Sequence, residues 1–251
     1  MARVIVFANQ KGGVGKTTTA ANLGAYLADA GKRVLLIDFD PQGNLSSSVG
    51  ARTDGSGVYE LITKQSTFDE VVQDTVVPNL RIVPSTPDLA GAAVELVDEP
   101  RREFFLKEAV KRVAPAADYV FIDSPPSLGL LTLNGLVAAD QVYIPLQCEY
   151  FALEGLTQLL KSVRTVQAAL NPTLEVGGII FTMFDSRTKL ANEVVEEVVS
   201  HFGRTVFRTI IPRNVRLGEA PSYSVPISRY DPNSTGAKSY AELAQEVLNR
   251  G

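Results

Sequence analysis

The chain has 251 residues, 45% hydrophobic and 21% charged, which is enough apolar side chain for a sizeable core and too much for a disordered polymer. A formal charge of -4 argues against a generally basic nucleic-acid binder but leaves room for a local basic patch. The single cysteine, Cys148, excludes an intrachain disulfide and gives no support to a thiolate-ligated zinc or iron–sulfur centre.

The opening MARVIVFANQK carries a short apolar run without a small-residue cleavage site, so it reads as a first strand and not as a signal peptide. No apolar run reaches the roughly 18 residues of a membrane span, and a cytoplasmic protein is expected. In chain order the candidate strands are Arg3–Ala8, Arg33–Ile37, Leu80–Val83, Tyr119–Ile122, Val142–Ile144, Val176–Phe181 and Val206–Ile210. Most are rich in Val and Ile without polar alternation, the pattern of strands buried on both faces of a parallel sheet. Between the first two, Ala20, Leu23, Leu27 and Ala30 recur at helical spacing and Gly31 supplies a stop. Residues 101–113, 153–170, 188–202 and 236–249 also read as helices, whereas 43–79 and 84–100 are irregular and rich in Gly, Ser and Pro. The alternation predicts an α/β fold, a mostly parallel central sheet covered by helices on both faces. Residues 1–251 contain no linker, repeat or low-complexity tract and read as one domain.

After the first strand comes Lys11-Gly12-Gly13-Val14-Gly15-Lys16-Thr17-Thr18, which also opens the first helix. That is the context a phosphate-binding loop requires. Glycines let the backbone turn close to phosphates, and successive N–H groups make an anion nest aided by the positive end of the helix. Lys16 is placed to reach the β- and γ-phosphates, and the Thr17 hydroxyl to ligate Mg²⁺. The match to G-x-x-x-x-G-K-[ST] is imperfect: Gln10 stands where the first glycine belongs, and Lys11 is an additional lysine. By spacing alone Lys11 is either solvated or crosses to a second subunit, as an arginine finger does.

Two strands end in carboxylates. In LLIDFDPQ, Asp38 and Asp40 alternate along an extended segment, so both could face one side at the carboxyl end of the sheet, where ligands bind in open α/β folds. In YVFIDSPP an apolar strand ends in Asp123, the usual metal-side partner of a phosphate loop. The competing reading of Asp40 and Asp123 is a helix cap or a turn residue.

Together KGGVGKTT, LLIDFDPQGN, FIDSPPS, PLQCEYFALEGL and IIPRNVRLGEAPS resemble the ParA/Soj partition ATPases, of the deviant Walker A class, over nearly the whole chain. The resemblance implies that ATP or ADP with Mg²⁺ is the ligand and that hydrolysis is slow and partner-stimulated. It makes Lys11 the signature lysine that contacts nucleotide across an ATP-sandwich homodimer, with Lys16 and Thr17 the contacts in the same subunit. It makes Asp40 the residue that positions the hydrolytic water, and Asp38 and Asp123 supporting groups around the metal. Pro212, Arg213 and Asn214 match a loop expected beside the adenine. Phe39 departs from the family's usual aliphatic residue there, with no loss of chemistry expected.

The family's ATP dimers bind double-stranded DNA without sequence preference, which implies a nucleoid-associated protein and places that surface near Arg187 and Arg216. Lys189, Lys161 and Arg164 are further candidates, although a lone surface arginine or lysine is usually just solvated. The implied partner is a ParB-type centromere-binding protein, with no membrane. A MinD-type positioning ATPase shares the loop and the Asp pair but needs a basic amphipathic C-terminal helix. Residues 239–250 carry two glutamates against one arginine and are expected to pack on the core instead. His201 reads as a structural histidine, and nothing resembles a nucleophile–histidine system.

Overall fold

The computed structural model describes residues 2–250. Seven strands form one sheet among them: β1 (Arg3–Phe7), β2 (Val34–Asp38), β3 (Gln73–Asp74), β4 (Leu80–Val83), β5 (Tyr119–Asp123), β6 (Gln141–Gln147) and β7 (Glu175–Thr182). Their order across the sheet is β3-β4-β2-β5-β1-β6-β7, parallel throughout except for the short edge strand β3. From β1 the chain moves to β2 on one side, while β6 and β7 extend the sheet on the other. The carboxyl end of β1 therefore lies at a switch point, where an open α/β sheet leaves a crevice.

The strands lack polar alternation because both faces are covered. Val4, Val6, Leu35, Ile37, Val120 and Ile122 face one core, and Ile5, Phe7, Val34, Leu36, Tyr119 and Phe121 face the other. Helices Phe105–Val113, Leu130–Ala138, Ala152–Ala169 and Lys189–Phe202 supply the first core. Helices Lys16–Asp29 and Thr235–Asn249 supply the second. There Phe7 meets Phe121 and Tyr143 edge-on, with ring centroids 5.2 and 5.9 Å apart.

Several elements differ from the sequence expectation. Val206–Ile210 is not a strand. Phe207 N–H and Ile211 N–H donate to β7 carbonyls at 2.9 Å, but the Glu246 carboxylate captures the intervening N–H groups of Arg208 and Thr209 at 3.0 and 3.1 Å. The helix Leu130–Ala138 adds an element without a sequence signal, because LLTLNGLVA is apolar nearly all round and shows no stripe. The irregular stretches hold short helices at Asn44–Ser48, Val58–Ile62, Phe68–Val71 and Leu89–Glu95, besides β3.

The C-terminal helix spends its apolar face on the core, with Tyr240, Leu243, Ala244 and Val247 buried. No helix among the described residues is long and apolar enough to cross a membrane. Leu243 is fully buried in the core that the helix after the glycine-rich loop also supplies. Leu243→Ala should therefore destabilise the chain by about 2–5 kcal/mol in urea unfolding. A loss below about 1 kcal/mol would show a loosely docked helix instead.

Candidate functional site

The glycine-rich loop leaves β1 and turns into helix Lys16–Asp29 with Gly13 and Gly15 at φ of 72° and 86°. A side chain strains such backbone, which accounts for glycine at both positions. The loop is tied to neighbouring strand ends: Asn9 Nδ2 donates to the Pro145 carbonyl at 2.8 Å, and Thr182 Oγ1 donates to the Val14 carbonyl at 2.8 Å.

Above the loop opens a cleft of about 840 Å³. Of the residues the sequence singled out, Gly12, Gly13, Gly15, Lys16, Thr17, Thr18, Asp40, Pro212, Arg213 and Asn214 line it; Lys11, Val14, Asp38 and Asp123 do not. Sequence reasoning missed Gln42, Asn44, Thr182, Met183 and Tyr240 in the wall. Thr182 was findable, since it ends β7 at the ligand-binding edge of the sheet. Met183, at a φ of 49°, carries backbone strain beside the cleft. Tyr240 comes from the C-terminal helix, and its hydroxyl is 3.1 Å from Thr19 Oγ1 below the loop.

Asp38 and Asp123 sit side by side at the ends of β2 and β5, both without solvent exposure. Thr17 Oγ1 donates to Asp123 Oδ2 at 2.6 Å, and Asp123 Oδ1 has no hydrogen-bond partner among the described residues. Burial pushes the Asp123 carboxyl well above the usual carboxylate range and Asp38 adds to this, while Thr17 and Lys16 oppose it. The Lys16 ammonium is itself held below its ordinary value by burial, against the pull of Asp123 and Asp40. An orphaned buried carboxylate oxygen beside the Thr17 hydroxyl fits a hard divalent cation. No group of three or more His, Cys, Asp or Glu among the described residues could hold a metal unaided. The remaining ligands would then be phosphate oxygens and water.

Asp38 and Asp40 both lie near Asp123, but only Asp40 lines the cleft. The strand ends at Asp38, whose carboxylate is turned inward onto Ser46, while Asp40 lies beyond it in the cleft wall. Lys11 does not line the cleft and makes an ion pair with Glu149. Asn214 accepts from Arg216 N–H at 2.9 Å and so caps the helix Val215–Glu219. Arg187 and Arg216 are exposed but paired, Arg187 with Asp185 at 2.6 Å and Arg216 with Glu219 at 2.7 Å. Lys189 is paired with Glu193, and Lys161 and Arg164 are exposed. His201 is exposed at a helix end, its ring nitrogen 2.9 Å from the Glu197 carbonyl.

A lysine and a threonine opening a helix under a glycine nest, with carboxylates on the adjoining strand ends, define a phosphate-loop nucleotide-binding fold of the α/β class. A family model described as an AAA domain matches residues 2–176. The chain is 58% identical over 250 residues to the chromosome-partitioning ATPase Soj of Treponema pallidum, covering 100% of this chain and 98% of that one. It is 52% identical to the sporulation initiation inhibitor protein Soj of Bacillus subtilis, covering 100% of both. It superposes on the crystal structure of cobyrinic acid a,c-diamide synthase from Mycobacterium smegmatis with bound ATP analog and magnesium, at a TM-score of 0.88 and 40% identity, covering 99% and 95% of the two chains. The chain belongs to the Soj/ParA family of chromosome-partitioning ATPases.

Burial pushes Asp38 from the ordinary 3.8 up to about 6, against the lowering effect of its Ser46 hydrogen bonds. The folded chain then holds this proton more tightly than the unfolded one. The associated stability is full below about pH 4 and is lost as the pH rises through about 6. Between pH 4 and pH 7 the wild type should lose about 2–3 kcal/mol relative to Asp38→Asn, read from urea unfolding at both values. Parallel pH dependence in the two proteins would mean that Asp38 titrates normally.

Proposed function

We propose that the chain, acting as a single ATPase domain over residues 1–251, binds ATP with Mg²⁺ in the cleft and uses the nucleotide to switch its own assembly and its hold on DNA. The observation that carries this reading is the cleft itself: Lys16, Thr17 and Asp40 converge in its wall above the glycine loop. Lys16 and the loop N–H groups bind the β- and γ-phosphates, and the Thr17 hydroxyl holds the metal with Asp123 behind it. Magnesium, when bound, neutralises charge on the phosphates. Asp40 orients the attacking water, and Pro212, Arg213 and Asn214 border the adenine. Two ATP-bound subunits close face to face, and Lys11 reaches the partner's phosphates. Two features support this role for Lys11. Its ammonium pairs with Glu149, and Lys11 does not line its own cleft. Beside that pair, Tyr150 and Phe151 are 75% and 66% exposed, an apolar patch for a second copy to cover.

The dimer binds duplex DNA without sequence preference through Arg187 and Arg216, which places the protein on the nucleoid in the cytoplasm. Hydrolysis is slow until a ParB-type centromere-binding protein stimulates it, and it returns the chain to monomers.

Asp40→Ala should keep ATP binding and lower turnover at least about 100-fold, because the residue acts on water and not on the ground-state phosphates. It should accumulate as an ATP dimer. Lys11→Ala should bind ATP but fail to dimerise, since two facing sets of phosphates would lack their crossing cations. Light scattering with ATP, with ADP and without nucleotide checks both variants. A normal Lys11→Ala dimer would place that lysine's action within its own subunit.

Arg187→Ala and Arg216→Ala should each weaken DNA binding and leave the ATP dimer intact. Each change removes two phosphate contacts per dimer, so the log–log salt slope should become shallower by about 1.8. The measurement is ATP-dependent binding to two unrelated duplexes across a salt series. Unchanged affinity and slope in both variants would put the DNA surface elsewhere.

A further inference from the structure

Asp38 stands next to Asp123 at the edge of the phosphate site, yet its oxygens serve the chain. Oδ2 accepts from Ser46 N–H at 2.7 Å and from Ser46 Oγ at 2.6 Å, and Oδ1 accepts from Asp40 N–H at 3.3 Å. Ser46 Oγ in turn accepts from Ser85 N–H at 3.0 Å, which ties it to the chain beyond β4. Asp38 and Ser46 are both fully buried, and neither lines the cleft.

The segment held between them does line it, at Asp40, Gln42 and Asn44, and Ser47 and Ser48 continue the wall. Within that segment Gln42 N–H donates to Asp40 Oδ1 at 3.0 Å and Gly43 N–H donates to the Asp40 carbonyl at 3.0 Å. One carboxylate thus fastens both ends of the loop that carries Asp40. Phe39 and Leu45 bury their side chains in the two cores, but the polar backbone between them is held chiefly by Asp38, and Asn44–Ser48 is a helix of only five residues. So short a helix is not stable by itself.

We infer that Asp38 is a positioning residue: through Ser46 it clamps residues 40–48 as a wall of the cleft and sets where the Asp40 carboxylate stands, without itself touching nucleotide or metal. Hydrogen bonds to a buried carboxylate are among the stronger ones available, which suits an anchor. The inference rests on the ATPase reading and deepens it. It replaces the metal-side role that the family resemblance implies for Asp38 with a mechanical one.

The test compares Asp38→Asn, Ser46→Ala and the double variant in the full chain. Three quantities are read: affinity for a fluorescent ADP analogue, the Mg²⁺ concentration for half-maximal turnover, and kcat. A reacting group displaced by about 1 Å loses up to about 100-fold in rate. Each single variant is therefore expected to lower kcat about ten- to a hundredfold, with ADP affinity within about threefold of wild type and the Mg²⁺ requirement unchanged. The double variant should be no slower than the worse single, as for two groups in one interaction. Ser46→Ala with wild-type kcat would overturn the inference. So would a raised Mg²⁺ requirement in Asp38→Asn that Ser46→Ala does not share, which would make Asp38 a metal-side group. If Asp38→Asn does not fold, the split between kcat and affinity in Ser46→Ala decides alone. A wild-type chain that fails to hydrolyse ATP sinks the ATPase reading itself, and so is distinguishable from failure of the clamp.

Discussion

At the carboxyl ends of β1, β2 and β5 the fold buries two carboxylates side by side, with a largely buried ammonium and a third carboxylate close by. Asp38 and Asp123 are neighbours in register with no solvent exposure, Lys16 is 7% exposed and Asp40 6%. Like charges buried together are costly, and each must be hydrogen-bonded, paired or neutralised. Asp38 answers with Ser46 and the Asp40 backbone, and Asp123 answers on one oxygen only, with Thr17. The imbalance is left at Asp123, beside the loop whose shape suits phosphate. A cation arriving with a triphosphate would relieve it, so what is unfavourable in the free chain is what favours the proposed ligand.

The same cleft is wired to distant surfaces by ordinary contacts. The segment Pro212–Asn214 borders the cleft, and Asn214 caps the short helix that carries Arg216. The side-chain amide of Asn214 also donates to Thr235 Oγ1, at 2.6 Å, at the start of the C-terminal helix. Further along that helix, Tyr240 lines the cleft and reaches Thr19 in the helix after the glycine loop. The cleft wall and the backbone that supports Arg216 are therefore contiguous through Asn214. Contiguity alone does not amount to coupling, which needs an element with two states that both sites bias.

Most of the sheet was legible because the buried parallel strands are short apolar runs bounded by turn residues, and the glycine loop announced itself by position as well as composition. The failures share a cause: what decides each lies outside the local pattern. Val206–Ile210 has the composition of a strand, but Glu246, nearly 40 residues on, takes two of its N–H groups. Leu130–Ala138 is apolar all round because it is buried on nearly every side, which erases the helical stripe. The strand ends at Asp38, so alternation along it does not fix where Asp40 stands. Ser46 belongs to a polar stretch with no period to read, and its importance lies in an acceptor eight residues upstream.

The proposed hold on DNA must overcome two electrostatic handicaps. The chain carries a net charge of -4, which repels a duplex at long range. Its two arginines on that surface are already occupied: Arg187 forms a two-pronged pair with Asp185, and Arg216 lies between Glu219 and Asp231. A phosphate can displace the carboxylate, but each exchange first breaks an existing pair, which subtracts up to about 1 kcal/mol from what the phosphate contact gains. One copy of such a surface therefore binds weakly. Two copies set along one duplex convert the second contact into an intramolecular event and multiply the affinity without any new chemistry. On the proposed reading, weak, pre-paired arginines would make the dimer the binding species, so that nucleotide control of the dimer would be control of DNA binding.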